Sequence, residues 1–195
     1  MTLFQFLSIC DSLKWIPRTG WLLRGLPPSS AENVAAHSHT TALLAFLLGL
    51  QSEEPVDIQR LLAMALIHDL PEAEIGDIPM SAQRIDSDFR KAKEKAEDSA
   101  MRNILAHLPP KLQVTLMDLW KEYQKGASLA ARLVEAADRL ATVLHAAQLV
   151  KTGFPAETFQ PFLDHAQLTV TKLQVPHAMD LIKELQEIFT IKSEK

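Results

Sequence analysis

The side chains best equipped for chemistry lie in Leu66-Ile67-His68-Asp69-Leu70-Pro71-Glu72-Ala73-Glu74-Ile75-Gly76-Asp77-Ile78-Pro79. A His–Asp pair closes the apolar run Leu61-Leu62-Ala63-Met64-Ala65, and two further acids, Glu72 and Asp77, follow shortly after. An ionised carboxylate buried without a partner costs on the order of several kcal/mol, so an inward-facing Asp69 calls for a cation or a metal ion. An exposed helix terminus with Asp69 solvated is the alternative. His37 shares a helical face with Val34, Thr41, Leu44, Ala45 and Leu48, which places it on the core side. Asp138 shares its face with Val134, Ala137, Ala141 and either Leu144 or His145. It too must be paired or ligate something, a buried Asp–Arg or Asp–His bridge being its alternative.

His37, His68, Asp69 and Asp138 together form a nitrogen–oxygen donor set without a thiolate. Such a set suits Mn, Co, Fe, Ni or Mg better than a closed structural zinc site. With four protein ligands, a six-coordinate ion keeps positions for water and a substrate oxygen, which means chemistry rather than architecture.

Helices have to carry these residues. Leu3, Phe6, Leu7, Cys10 and Leu13 are spaced for a helix over residues 2–15, ended by Pro17. Arg18 through Ser30 reads as a loop, rich in turn formers. Ser29 or Ser30 is expected to cap a second helix, with Glu32 or Asn33 in its first turn, running to about Leu50. A third runs from Pro55-Val56-Asp57 to His68-Asp69. Residues 86–106 read as an exposed helix carrying Lys91, Lys93, Glu94, Lys95, Glu97 and Asp98, broken by Pro109-Pro110. The next, 111–125, turns Leu112, Leu116, Leu119 and Trp120 inward and stops at Gly126. A long helix from Ser128 to about Val150 ends before Gly153, and two more follow over 156–173 and 177–190. No segment alternates as a strand would. The expectation is one all-α domain over residues 1–195, with a motif-bearing core of about 10–152 and C-terminal helices of about 156–190.

Composition narrows the function classes. The chain is 47% hydrophobic and 23% charged with a net charge of −4. It lacks the basic excess that drives binding to nucleic-acid polymers or anionic membranes. An anionic substrate is therefore held by a few local cations or a metal. Cys10 is the single cysteine, the N-terminus lacks a basic leader, and the apolar run Ala42–Leu50 is too short to span a bilayer. A cytoplasmic protein is expected.

The order His37 … His68-Asp69 … Asp138 resembles the HD-domain superfamily of metal-dependent phosphohydrolases. Three segments extend the likeness to its 5′-deoxynucleotidase branch, the YfbR-like proteins and their archaeal and eukaryotic relatives. They are Trp15-Ile16-Pro17-Arg18-Thr19-Gly20-Trp21, Glu32-Asn33-Val34-Ala35-Ala36-His37-Ser38, and His68 through Pro79. The resemblance implies a helical fold and hydrolysis of deoxyribonucleoside 5′-monophosphates to deoxynucleoside and phosphate. It implies one divalent metal ion (Mn, Co, Mg or similar) held by His37, His68, Asp69 and Asp138, and a homodimer. Glu72 would be the general acid/base beside a metal-activated water, Arg18 would hold the phosphate, and Asp77 would contact the deoxyribose near its 3′-hydroxyl.

Each role has a bland alternative. Arg18 would be a solvated charge, Glu72 a cap of a short helix begun by Pro71, and Asp77 a turn residue before Pro79. His145 is a candidate second-layer partner of Asp138. The chain departs from the bacterial pattern at Thr19, where those relatives carry Trp, and at Gln83 and Arg84, where they carry Lys. The competing functions are another nucleotide phosphohydrolase, such as a triphosphohydrolase, and a non-catalytic metal-binding module.

Overall fold

The computed structural model describes residues 2–79 and 86–193. Its helices are α1 (Leu3–Ser12), α2 (Thr19–Leu22), α3 (Val34–Leu50), α4 (Ile58–Ile67) and α5 (Glu72–Ile75). They continue as α6 (Ser87–Leu105), α7 (Pro110–Lys125), α8 (Leu129–Lys151), α9 (Ala156–Leu173) and α10 (Pro176–Ser193). Among the described residues the β content is one antiparallel bridge, Pro17 with Asn33, so the all-α expectation holds. The chain forms two compact units, Met1–Ser38 with Leu66–Lys121 and His39–Ala65 with Glu122–Lys195.

In the first unit, α1 opens on a capping box between Thr2 and Gln5 and passes into a 3-10 turn, Leu13–Trp15, before Pro17. None of its residues is buried: Leu3, Phe4 and Leu7 are all more than half exposed despite their helical spacing. Within the expected Arg18–Ser30 loop, α2 forms a single turn around the buried Trp21. The Arg18 N–H donates to the Glu32 carbonyl (2.9 Å) and the Val34 N–H to that of Ile16 (2.9 Å), framing the Pro17–Asn33 bridge.

That bridge delays the start of α3. Its cap is Asn33, whose Oδ1 accepts the Ala36 N–H at 2.8 Å, and not Ser29 or Ser30. Ser30 is instead turned back on Pro27, donating its N–H to that carbonyl at 2.9 Å. After α4 a turn leads into α5, which Gly76 ends at φ +75°. Helix α6 contacts α1 and α5 and buries Ala100, Met101, Ile104 and Leu105. Lys93 and Glu97, expected in solvent, are mostly buried and paired with each other.

In the second unit, Asp57 caps α4 through Oδ1, which accepts the Arg60 N–H at 3.0 Å. Helix α3 meets α4 at Gly49, where an added Cβ would lie 2.5 Å from the Cδ2 of fully buried Leu61 and 3.0 Å from Ile58 Cδ1. Gly49→Val should therefore lower unfolding free energy by about 1–3 kcal/mol, the usual cost of overpacking a core, as read from denaturant melts. An unchanged midpoint would show that the helices separate freely there.

Ser128 caps α8 by accepting the Ala131 N–H, and Gly153, at φ +110°, follows its end. Helices α8, α9 and α10 pack on one another. Phe159, Leu163 and Val170 of α9 and Ile182, Leu185 and Phe189 of α10 are buried. Helix α7 buries Leu119 and Trp120, but Leu112 is exposed: it sits in the first turn set by Pro109-Pro110, ahead of the covered stretch. Among the described residues no helix is long and apolar enough to cross a membrane.

Candidate active site

The first unit gathers most of the candidate residues. His37 lies in the first turn of α3, where the Asn33 carbonyl accepts its N–H at 3.0 Å, and its side chain is fully buried. His68 and Asp69 come directly after the last residue of α4, in a turn closed by the Leu70 N–H on the Ile67 carbonyl. The two imidazoles are neighbours, with ring centroids 5.7 Å apart and planes tilted by 53°. Asp69 Oδ2 stands 3.1 Å from His68 Nε2 and 3.7 Å from His37 Nε2. One donor atom from each of the three residues lies within 4.8 Å of the other two. Burial by itself would raise the Asp69 pKa. The adjacent His68, then His37 and Arg18, more than offset that and hold the carboxyl well below the usual carboxylate range.

Two buried imidazoles and a low-pKa carboxylate that converge this closely fit a divalent ion of borderline or hard character.

Glu72 opens α5, with its N–H on the Asp69 carbonyl at 3.1 Å, and its side chain is buried. Burial pushes its pKa up, the charges of Asp69 and Asp77 push the same way, and Arg18 and Lys93 oppose them; the result is about 10. Its Oε2 is buried with no hydrogen-bond partner among the described residues. In the metal-free protein Glu72 is thus a carboxylic acid that keeps its proton at neutral pH, with Oε2 unpartnered among the described residues. The bland reading as a helix cap does not account for that burial. Pro71 stands at the cap position and makes no side-chain cap bond.

Arg18 places Nη1 3.8 Å from Asp69 Oδ2 and is only 17% exposed, so it is not a solvated charge. Asp77 sits one residue past Gly76 and is latched to the Arg18 segment twice. Its Oδ2 accepts the Thr19 N–H, and its carbonyl accepts the Thr19 hydroxyl at 2.8 Å. Thr19, the residue that departs from the bacterial pattern, therefore positions Asp77.

Asp138 lies in the other unit, buried on α8, with Oδ2 3.2 Å from Arg139 Nη1, the pairing named as its alternative. His145 is half-buried on the same helix. His39 is exposed, as its position on another side of α3 requires. Gln83 and Arg84 lie outside the described residues.

Two residues at the site escaped sequence reasoning. Lys93 acts electrostatically on Glu72 from α6. Its signal was present, since Lys93, Glu97, Ala100, Met101 and Ile104 recur at spacings of three and four and form one inward stripe. Glu32, with a side chain only 7% exposed, sets Oε2 3.6 Å from His37 Nδ1. It precedes α3, where helical periodicity says nothing.

The profile of the family described as HD domain matches residues 10–173. "5'-deoxynucleotidase HDDC2" of Bos taurus is 31% identical over 184 residues, covering 94% of this chain and 84% of that protein. Its Homo sapiens counterpart is 30% identical over 185 residues, with 95% and 85% covered. Among solved structures, a conserved hypothetical protein of Pyrococcus furiosus superposes with a TM-score of 0.77 at 30% identity, over 94% of this chain and 99% of that one. A protein of Magnetospirillum magnetotacticum titled "Predicted metal-dependent phosphohydrolase" does so with 0.66 at 29% identity, over 95% and 94%.

Proposed function

The chain belongs to the HD domain family, and from that premise we propose that it is a metal-dependent 5′-deoxynucleotidase. It hydrolyses deoxyribonucleoside 5′-monophosphates to deoxynucleoside and phosphate. The observation that carries this reading is the meeting, in one unit, of a His37–His68–Asp69 donor cluster with the buried acid Glu72. The relatives named 5′-deoxynucleotidase support the substrate class.

His37, His68 and Asp69 would hold a divalent ion, whose chemistry when bound would be to lower the pKa of a water towards neutrality and to polarise a phosphoryl oxygen. Arg18 binds the phosphate oxygens through its planar guanidinium fork. Glu72 gives its proton to the departing 5′-oxygen and can take one from water in the return step, so one buried carboxyl serves as acid and base. Asp77, held by Thr19, contacts the deoxyribose near its 3′-hydroxyl. On the family pattern Asp138 would be the fourth metal ligand, and His145 is its candidate partner on the same helix. This assignment predicts that Asp138→Ala weakens Mn or Co binding at least about tenfold, since a metal site depends on its full ligand count. Titration of the metal-free protein checks it, and unchanged affinity returns Asp138 to its pairing with Arg139.

The test of the function is phosphate release from dAMP, dGMP, dCMP, dTMP and AMP, with the matching deoxynucleoside triphosphates alongside, metal-free and with Mg, Mn or Co. Metal-dependent release from the deoxynucleotides with little from AMP is the expected result. Release only from triphosphates would replace this reading with a triphosphohydrolase, and no release with any metal would leave a binding module.

The protein acts as a cytoplasmic homodimer. The exposed Leu3, Phe4 and Leu7 of α1, with exposed Trp15 beside them, support a second copy as their cover. Phe4→Glu with Leu7→Glu should reduce the mass seen by light scattering to that of one chain. A wild-type monomer would remove the proposal.

A further inference from the structure

Glu32 is an acid that the proposed chemistry leaves unused, yet it is built into the site. Its side chain is 7% exposed, and its Oε2 is buried with no hydrogen-bond partner among the described residues. Burying a carboxylate this way is costly unless a cationic or N–H group compensates it. The group it faces is His37, whose Nδ1 lies 3.6 Å from Oε2, while Nε2 on the other edge of the ring looks towards Asp69 Oδ2 at 3.7 Å. The imidazole is thus sandwiched edge-on between a carboxylate outside the donor cluster and one inside it.

A neutral imidazole carries one N–H, and the nitrogen that lacks it is the one able to ligate a metal. An acceptor beside Nδ1 keeps the proton there and presents the Nε2 lone pair on the Asp69 side. At 3.6 Å the two groups stand just beyond hydrogen-bond distance, with no other partner for Glu32 Oε2 among the described residues.

We propose that Glu32 is a positioning residue whose carboxylate receives the His37 Nδ1–H and so fixes the tautomer and tilt in which His37 Nε2 binds the metal. The inference rests on the reading of His37 as a ligand. Glu32 has a second attachment: its backbone carbonyl accepts the Arg18 N–H at 2.9 Å. One residue therefore braces the ligand through its side chain and the phosphate-binding segment through its main chain. Side-chain substitution removes only the first brace.

The experiment titrates Mn and Co into the metal-free full chain, wild type, Glu32→Ala, Glu32→Gln and His37→Ala, by calorimetry and by the Co(II) absorption spectrum. Loss of a carboxylate behind a ligating histidine typically weakens metal affinity about 10–100-fold, and that is the fall expected for Glu32→Ala, with an altered Co(II) spectrum. Glu32→Gln keeps the shape and an acceptor oxygen, so its affinity should fall less and its spectrum should stay close to wild type. KM for substrate at saturating metal should change little in either variant, because the Arg18 brace is main chain.

A purely structural Glu32 would lower the melting temperature of the metal-free protein while the folded variants bind metal like wild type, and that result overturns the proposal. The two readings fail separately. If His37→Ala binds metal as well as wild type, the ligand assignment falls and this inference with it. If His37→Ala loses the metal while Glu32→Ala and Glu32→Gln keep wild-type affinity and spectra, only this inference falls.

Discussion

Glu72→Gln is expected to cut metal-dependent phosphate release by about 10²–10⁴-fold, the range typical of losing a positioned general acid. Mn or Co affinity should stay within a few-fold, since Glu72 is assigned to the proton and not to the donor cluster. The same substitution should make the metal-free protein more stable. The reason is linkage: the Glu72 pKa rises from an ordinary 4.5 in the unfolded chain to about 10 in the fold. Between those values the folded state binds a proton that the unfolded state has released, so wild-type stability falls as pH rises through that window. Gln mimics the protonated acid without that cost. Its advantage should be absent below about pH 4.5 and should widen with pH, by at most about 1.4 kcal/mol per unit. Thermal melts of both proteins from pH 5 to 8 and single-turnover assays check the two halves. Full activity in the variant would remove Glu72 from the chemistry, and parallel stability curves would deny its buried, protonated state.

Asp69→Asn should be nearly as damaging to turnover by another route. Asp69 Oδ2 is the shared point towards which His37, His68 and Arg18 converge. An amide keeps the shape but removes the negative charge that draws a cation in, so Mn or Co affinity should fall at least about 100-fold and activity should drop to background. Stability moves as well. A carboxyl held below its ordinary pKa contributes stability above that pKa and loses it as the pH falls through the folded value. Wild type should therefore exceed the variant at pH 7, with the gap closing in strong acid. The site is partly exposed, so the loss should fall short of the about 3–5 kcal/mol seen when a fully buried pair is broken. Calorimetric metal titration and melts at pH 7 and pH 3 measure both effects. Undiminished metal affinity would exclude Asp69 as a ligand.

The long helices were legible because apolar spacing and punctuation agree: Asp57 and Ser128 as caps, Gly126 and Gly153 as stops. Short-range rules failed where a distant partner decided the outcome. Nothing local marks residues 19–22 as helical, since that turn is organised by the burial of Trp21 and by Asp77, fifty-eight residues away. Ser29 and Ser30 are better caps by type than by place, because the Pro17–Asn33 bridge sets where α3 begins. Charge alone places Lys93 in solvent, although its stripe runs inward. The clustering of His37, His68 and Asp69 was legible because helical periodicity shows which residues turn inward. Glu32 was not, because its approach to His37 depends on how the chain enters α3.

The Thr19 N–H, pinned on the Asp77 carboxylate, also makes a natural spectroscopic reporter. A proton held by a charged oxygen is strongly deshielded and slow to exchange with solvent. In an amide NMR spectrum of the 15N-labelled protein, Thr19 should resonate far downfield and outlast its loop neighbours in D2O. A ligand that recruits the Asp77 carboxylate must loosen that hold, moving the resonance upfield and quickening its exchange. On the role proposed for Asp77, one peak would then report sugar-side occupancy without an activity assay.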